Sequence, residues 1–90
     1  MEIERGSIVK SMMGRDAGRI FVVMEVIDDE YLSLADGKVR PLERAKKKKK
    51  KHVQFFAQAQ TSRVIEKLHR GDKVLNSELR RLLKEVSECE

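Results

Sequence analysis

Between Gly14 and Ile27 the chain passes without a break from a glycine-bounded basic loop into its longest β-type run. The loop reads Gly14-Arg15-Asp16-Ala17-Gly18-Arg19, and the run reads Ile20-Phe21-Val22-Val23-Met24-Glu25-Val26-Ile27. The loop glycines can take positive φ at little steric cost, which suits a tight turn. The β-branched residues of the run favour a strand. Side chains alternate across a strand, so Ile20, Val22, Met24 and Val26 share one face and Phe21, Val23, Glu25 and Ile27 the other. The first face is wholly apolar and is expected to point into a core. The second carries a charge yet holds three apolar residues, so it needs a cover, and the C-terminal segment is the candidate. A rigid strand that presents Arg15 and Arg19 at one end has the general form of a phosphate-contacting loop on a small barrel.

The rest of the chain is ordered around that stretch. Ser7 to Met13 reads as a first short strand between Gly6 and Gly14. Asp28-Asp29-Glu30 makes an acidic turn, and Tyr31 to Ala35 a third strand. Asp36-Gly37 is the pair that a type I′ hairpin turn prefers, since both central positions of that turn need positive φ. Lys38-Val39-Arg40 then reads as a fourth strand, with Pro41 suited to its end. His52 to Ala57 is read as a final strand from its valine and phenylalanines, with the start of a helix as the alternative. At least one of Phe55 and Phe56 is expected in the core, and either could instead stack on an exposed base. Short strands at close spacing with tight turns argue for a small antiparallel barrel or sandwich.

From Thr61 the periodicity becomes helical. Thr61 or Ser62 can cap a segment holding Val64, Ile65 and Leu68, and Gly71 fits the position that ends it. Asn76 or Ser77 can cap a second helix with Glu78 in its first turn. Leu79, Leu82, Leu83 and Val86 then form one apolar stripe. A helix this short is marginal alone and should need the barrel or a partner. Arg80, Arg81 and Lys84 fall on its other side, as solvent-facing charges or as a second phosphate-facing patch. The chain thus divides into a β-rich part, residues 1–58, and a helical extension, residues 59–90.

Ninety residues suit one small domain. The longest uninterrupted apolar run, Ile20 to Met24, is far short of the ~20 residues that span a bilayer. The start has no apolar leader-like segment, so a cytoplasmic protein without membrane contact is expected. The single cysteine, Cys89, cannot close an internal disulfide. His52, His69 and Cys89 lack the spacing of metal ligands, so no metal or cofactor is expected. The serines lack triad partners, and Gly14 to Gly18 lacks the Lys-Ser/Thr ending of a P-loop. Neither catalytic residues nor a small-molecule substrate are expected, and the chain reads as a non-enzyme.

Charge is more informative. The net charge is +5, unevenly spread. Residues 1–41 hold six Lys/Arg against eight Asp/Glu, residues 42–52 seven against one, and residues 53–90 seven against six. The excess is therefore one cluster, Arg44 and Lys46 to Lys51. Such a cluster attracts polyanions by releasing condensed counterions; the alternative is a solvated, disordered charge run or a localisation-type signal. The lysines have no apolar group to bury and repel one another, so they are not expected to fold alone.

Three segments together, Gly6-Ser7-Ile8-Val9-Lys10, Gly14-Arg15-Asp16-Ala17-Gly18-Arg19-Ile20 and Val23-Met24-Glu25-Val26, resemble a KOW motif. In that motif two short strands flank a basic loop with a fixed glycine, matched here by Gly18. KOW domains are small SH3-like barrels found in ribosomal proteins and in the transcription factor NusG. The Asp36-Gly37 hairpin, Lys38-Val39-Arg40 and the later basic strand resemble more closely the large-subunit ribosomal family known as "fourteen-e" in archaea and eukaryotes, which has short bacterial RNA-binding relatives. The resemblance covers roughly residues 3–57.

It implies a mainly β fold, an SH3-like KOW antiparallel barrel with one or two C-terminal helices packed on it. It also implies RNA binding, first of all to ribosomal RNA, in or on the ribosome and translation machinery. Gly6, Gly14 and Gly18 would be the motif glycines, and Lys10, Arg15 and Arg19 would touch phosphates. Lys38, Arg40, Arg44, Lys46, Lys47, Lys48, Lys49, Lys50, Lys51 and His52 complete the candidate RNA-binding set. The lysine run departs from the family pattern in length, which leaves open an ordered clamp or a loose arm. Two alternatives remain: a protein-interaction module using the barrel or an exposed helix stripe, and a NusG-like transcription factor.

Overall fold

The computed structural model describes residues 3–58 and 63–88. Five strands form one antiparallel sheet: β1 (Ser7–Ser11), β2 (Ile20–Val26), β3 (Tyr31–Ala35), β4 (Lys46–Lys49) and β5 (Val53–Gln58), in the order β4-β3-β2-β1-β5. Two helices follow, α1 (Arg63–Arg70) and α2 (Asn76–Glu88). Among the described residues no helix is long and apolar enough to cross a membrane. The expected caps Thr61 and Ser62, and Cys89, lie outside the described residues.

Both faces of β2 are buried, and their roles are the reverse of the expected ones. Phe21 and Val23 sit with Val9, Leu32 and Leu34 in a cluster that draws only Ile3 and Val53 besides. Among the described residues no helix contributes to that cluster, so the sheet itself curls over it. The register shifts between Ile8 and Val9 and between Val23 and Glu25 are the bulges that allow the bend. Val22 instead packs with Ile8, Ala35 and both helices, with Ile20 and Met24 at the margin. Cross-strand pairing decides between the faces. Val22 pairs with Ile8 and Ala35, and these three share the cluster that holds the helix side chains. Phe21 and its larger neighbours fill the concave side. Val26 and Ile27, at the far end of the run, are exposed.

The lysine run, expected not to fold alone, is ordered here as part of the sheet. Lys46–Lys49 pairs along β3 through Leu34, Ser33, Leu32 and Tyr31. Lys38-Val39-Arg40 is not a strand. The Asp36 carboxylate accepts the amides of Lys38 at 2.9 Å and Arg40 at 2.8 Å, which removes donors a ladder would use. Asp36 and Gly37 in turn donate their amides to the Arg40 carbonyl. Only Gly37 of that pair has positive φ, at 78°, so the type I′ turn is absent. The Val53–Gln58 strand agrees with the final strand expected near residues 52–57, and Phe56 packs against the helix-side cluster.

Gly37 is also where the helices meet the sheet. A Cβ added there would run into the Asn76 backbone carbonyl at the start of α2, and Arg80 Nη1 donates to the Gly37 carbonyl at 2.6 Å. We expect Gly37→Ala to lower stability by about 2–4 kcal/mol, from positive φ plus a backbone clash. Urea denaturation checks it, with Val39→Ala, at an exposed position, as a near-neutral control.

α1 ends through backbone bonds and α2 begins through a side-chain cap. At the end of α1, Gly71 N–H donates to the Leu68 carbonyl and Asp72 N–H to that of Lys67, which is a Schellman closure. At the start of α2 the expected cap by Asn76 or Ser77 is replaced by Glu78. Its carboxylate reaches back to the Leu75 amide at 3.0 Å and also takes Lys67 Nζ at 2.8 Å. Asn76 is occupied elsewhere, accepting the Leu42 amide at 2.7 Å and donating to Glu43. The stripe Leu79, Leu82 and Leu83 is buried against the sheet, so it is not an exposed docking face.

Candidate functional site

The loop from Met12 to Arg19 is fixed by the one acid it contains. Gly14 and Gly18 take positive φ, at 89° and 91°, and let the chain double back. Ser11 donates its amide to the Arg19 carbonyl and accepts the Gly18 amide, closing the loop at its base. Inside it, Asp16 is 7% exposed. Its carboxylate receives Ser11 Oγ at 2.9 Å, Lys46 Nζ at 2.9 Å and Lys48 Nζ at 3.1 Å. Lys48 Nζ also donates to the Met13 carbonyl at 2.7 Å. Burial works against the Asp16 charge. The hydrogen bonds from Lys46, Ser11 and Lys48 outweigh it and hold the carboxyl well below the usual carboxylate range.

Strand alternation explains which lysines reach Asp16. Lys46 and Lys48 pair with Leu34 and Leu32, so they point to the concave side, where the loop lies. Lys47 and Lys49 point outward and place their ammonium groups 4.4 and 5.9 Å from the centre of the Tyr31 ring. The candidate set therefore splits. Lys46 and Lys48, expected to contact RNA, are instead consumed by an internal ion triad. Lys48, with 8% of its side chain exposed, is not available to a ligand.

The other predicted residues are distributed as follows. Arg15 and Arg19 are exposed and Lys10 is half-buried, each with no side-chain partner among the described residues. Lys50, Lys51 and His52 form a 3-10 turn between β4 and β5. The Met12 amide donates to the His52 carbonyl at 2.9 Å, so this turn sits against the loop. Met12 and Met13 are exposed beside it, at 51% and 54%. Part of the lysine charge is met by the acidic turn. Asp28 is held below its ordinary range by the Glu30 and Tyr31 amides, with Lys47 and Lys50 adding to the effect. Arg44 is exposed at the end of a 3-10 turn, Leu42–Arg44. Arg40 is half-buried: its backbone amide donates to Asp36, and its buried Nε has no hydrogen-bond partner among the described residues. Gly6 has a φ of 92° and lies against Ile65 and His69. Lys38 and Arg19 come together across a groove bordered by α2.

Sequence reasoning assigned no role to Asp16. The available signal was an acid centred in an otherwise basic loop, opposite a segment whose alternate lysines share one face. Among the described residues no group of three or more His, Cys, Asp or Glu gathers in a way that could hold a metal ion. No family model and no curated protein matches the chain.

Proposed function

We propose that this chain is a non-enzymatic RNA-binding protein of the KOW type, built on an SH3-like barrel and working on the ribosome or with the translation machinery. The curled five-stranded sheet, with β1 between β2 and β5, supports the barrel reading. The observation that carries the function is the loop locked by Asp16. It holds Arg15 and Arg19 outward without acidic partners among the described residues, while Lys46 and Lys48 neutralise the acid beneath them. Fixed cations on a pinned loop suit phosphate contacts, which set position without reading sequence. Lys50, Lys51 and His52, on the adjoining turn, extend the positive surface, and Lys47 and Lys49 add attraction from the outer face of β4.

The test is a salt series of affinity for a labelled 20-nucleotide RNA. Replacing Lys47, Lys49, Lys50 and Lys51 by glutamine, with Lys46 and Lys48 left in place, should lower the log–log slope by about 3, at ~0.7–0.9 per lost contact. An unchanged slope would rule out the lysine face as a contact surface.

A further inference from the structure

Resting on that RNA-binding reading, we propose that α2 supplies a second phosphate site, in the groove it forms with the Gly18–Ile20 segment and the Asp36–Lys38 loop. The groove has a volume of about 480 Å³, and Arg19, Lys38, Arg80 and Lys84 line it. These four cations come from three separate parts of the chain, and the fold alone brings them together. Asp36 is the one acid in the lining among the described residues, and its carboxylate is already engaged by two amides of its own loop.

Selection along α2 follows helix geometry. Arg80 and Lys84 are four residues apart and share a face. Arg81, one position on, is turned away and pairs with Glu85 at 3.6 Å. Arg80 is steadied by the Gly37 carbonyl through Nη1, which leaves most of its five N–H donors for an anion. Lys38 and Lys84 are exposed, with no side-chain partner among the described residues. At Gly18 an added Cβ would meet nothing within 4 Å, so the backbone there is open to close approach by a ligand. The ligand class is the phosphodiester backbone of a nucleic acid. One loop carries both Arg15 and Arg19, so a strand crossing it would engage the β4 side through the first and the groove through the second. The helical extension thereby becomes part of the binding surface as well as a cover for the sheet.

The experiment uses the full chain and the same labelled RNA. Lys38→Gln with Lys84→Gln should lower the salt slope by about 1.4–1.8 and weaken binding about tenfold near 0.15 M salt. Arg81→Gln with Lys73→Gln should leave both unchanged. As a readout that needs no variant, bound RNA should protect Lys38 and Lys84 from amine acylation and leave Lys73 reactive. The groove proposal is overturned if the Lys38/Lys84 variant binds as the unmodified chain does while the Lys47/Lys49/Lys50/Lys51 variant is weakened; RNA binding itself then stands. It is equally overturned if Lys84 acylates at the same rate with and without RNA. Absence of RNA binding by the unmodified chain overturns the functional reading and this one with it.

Discussion

Asp16→Asn should destabilise the protein by about 3 kcal/mol at neutral pH, the scale seen when one partner of a buried ion pair is removed. The substitution keeps the shape and removes the charge. Lys48 is then left buried with only the Met13 carbonyl and a neutral amide. Lys46, with 26% of its side chain exposed, can turn to water and should account for less of the loss. Adding Lys48→Met should recover part of it, because the unpaired charge goes too, and a double-mutant cycle measures the coupling. The pH dependence has a definite sign. Folding lowers the Asp16 pKa from its ordinary 3.8. Its stabilisation is therefore complete above about pH 4 and fades as pH falls through the folded-state value. The gap between wild type and Asp16→Asn, followed by urea denaturation, should hold constant from pH 7 to 5 and narrow below 4. Asp28, Glu43 and Glu78 also have lowered pKa values, but they are present in both proteins and cancel in the difference. A gap that widened on acidification would exclude the ion triad as the origin.

Leu79→Ala is the second large expected effect, at about 3–4 kcal/mol. Leu79 is fully buried in the layer between the helices and the Ile8, Val22 and Ala35 surface. Nothing polar is involved, so the loss should be independent of pH and salt, unlike that of Asp16→Asn. A chain of this length has on the order of 5–13 kcal/mol in total, at ~0.05–0.15 per residue. The variant should therefore remain folded at 25 °C with a clearly lower urea midpoint. The loss should not be confined to the helices, because the same cluster holds residues of β1, β2 and β3. Circular dichroism and the near-ultraviolet signal of Tyr31 on β3 should fall in one transition. Early loss of helix with Tyr31 unchanged would mean that the extension is a separate unit.

Much of the fold was legible because periodicity reports it directly. The alternation in β2, the glycine-bounded loop and the Leu79/Leu82/Leu83 stripe each follow from local spacing. What spacing could not supply was parity between elements. Both faces of β2 are apolar, so only its pairing with Ile8 and Ala35 reveals that Val22 meets the helices and Phe21 the concave side. The Asp36-Gly37 pair misled for a related reason. The signal for a tight hairpin is local, but the Asp36 side chain captured the amides that the returning strand needed. The lysine run carried the least local information about its form. Its strand exists because β3 offers a free ladder and because Asp16 lies where alternate lysines can reach it. The candidate site was legible as a charge pattern, whereas its division into internal and outward lysines required the register.

That register has a consequence for how copies of the protein behave in concentrated solution. Among the described residues β4 is the last strand of the sheet on its side, and a border of this kind is a template for joining a neighbour's strand. Here the outward side chains of the border are Lys47 and Lys49, so a second copy approaching it would bring like charges together. The same residues that would attract a polyanion thereby guard against self-association. Replacing the outward lysines by glutamine for the salt series removes part of that guard. The variant should be kept dilute and its monomeric state checked by light scattering, with self-association expected to rise with salt as the remaining charges are screened.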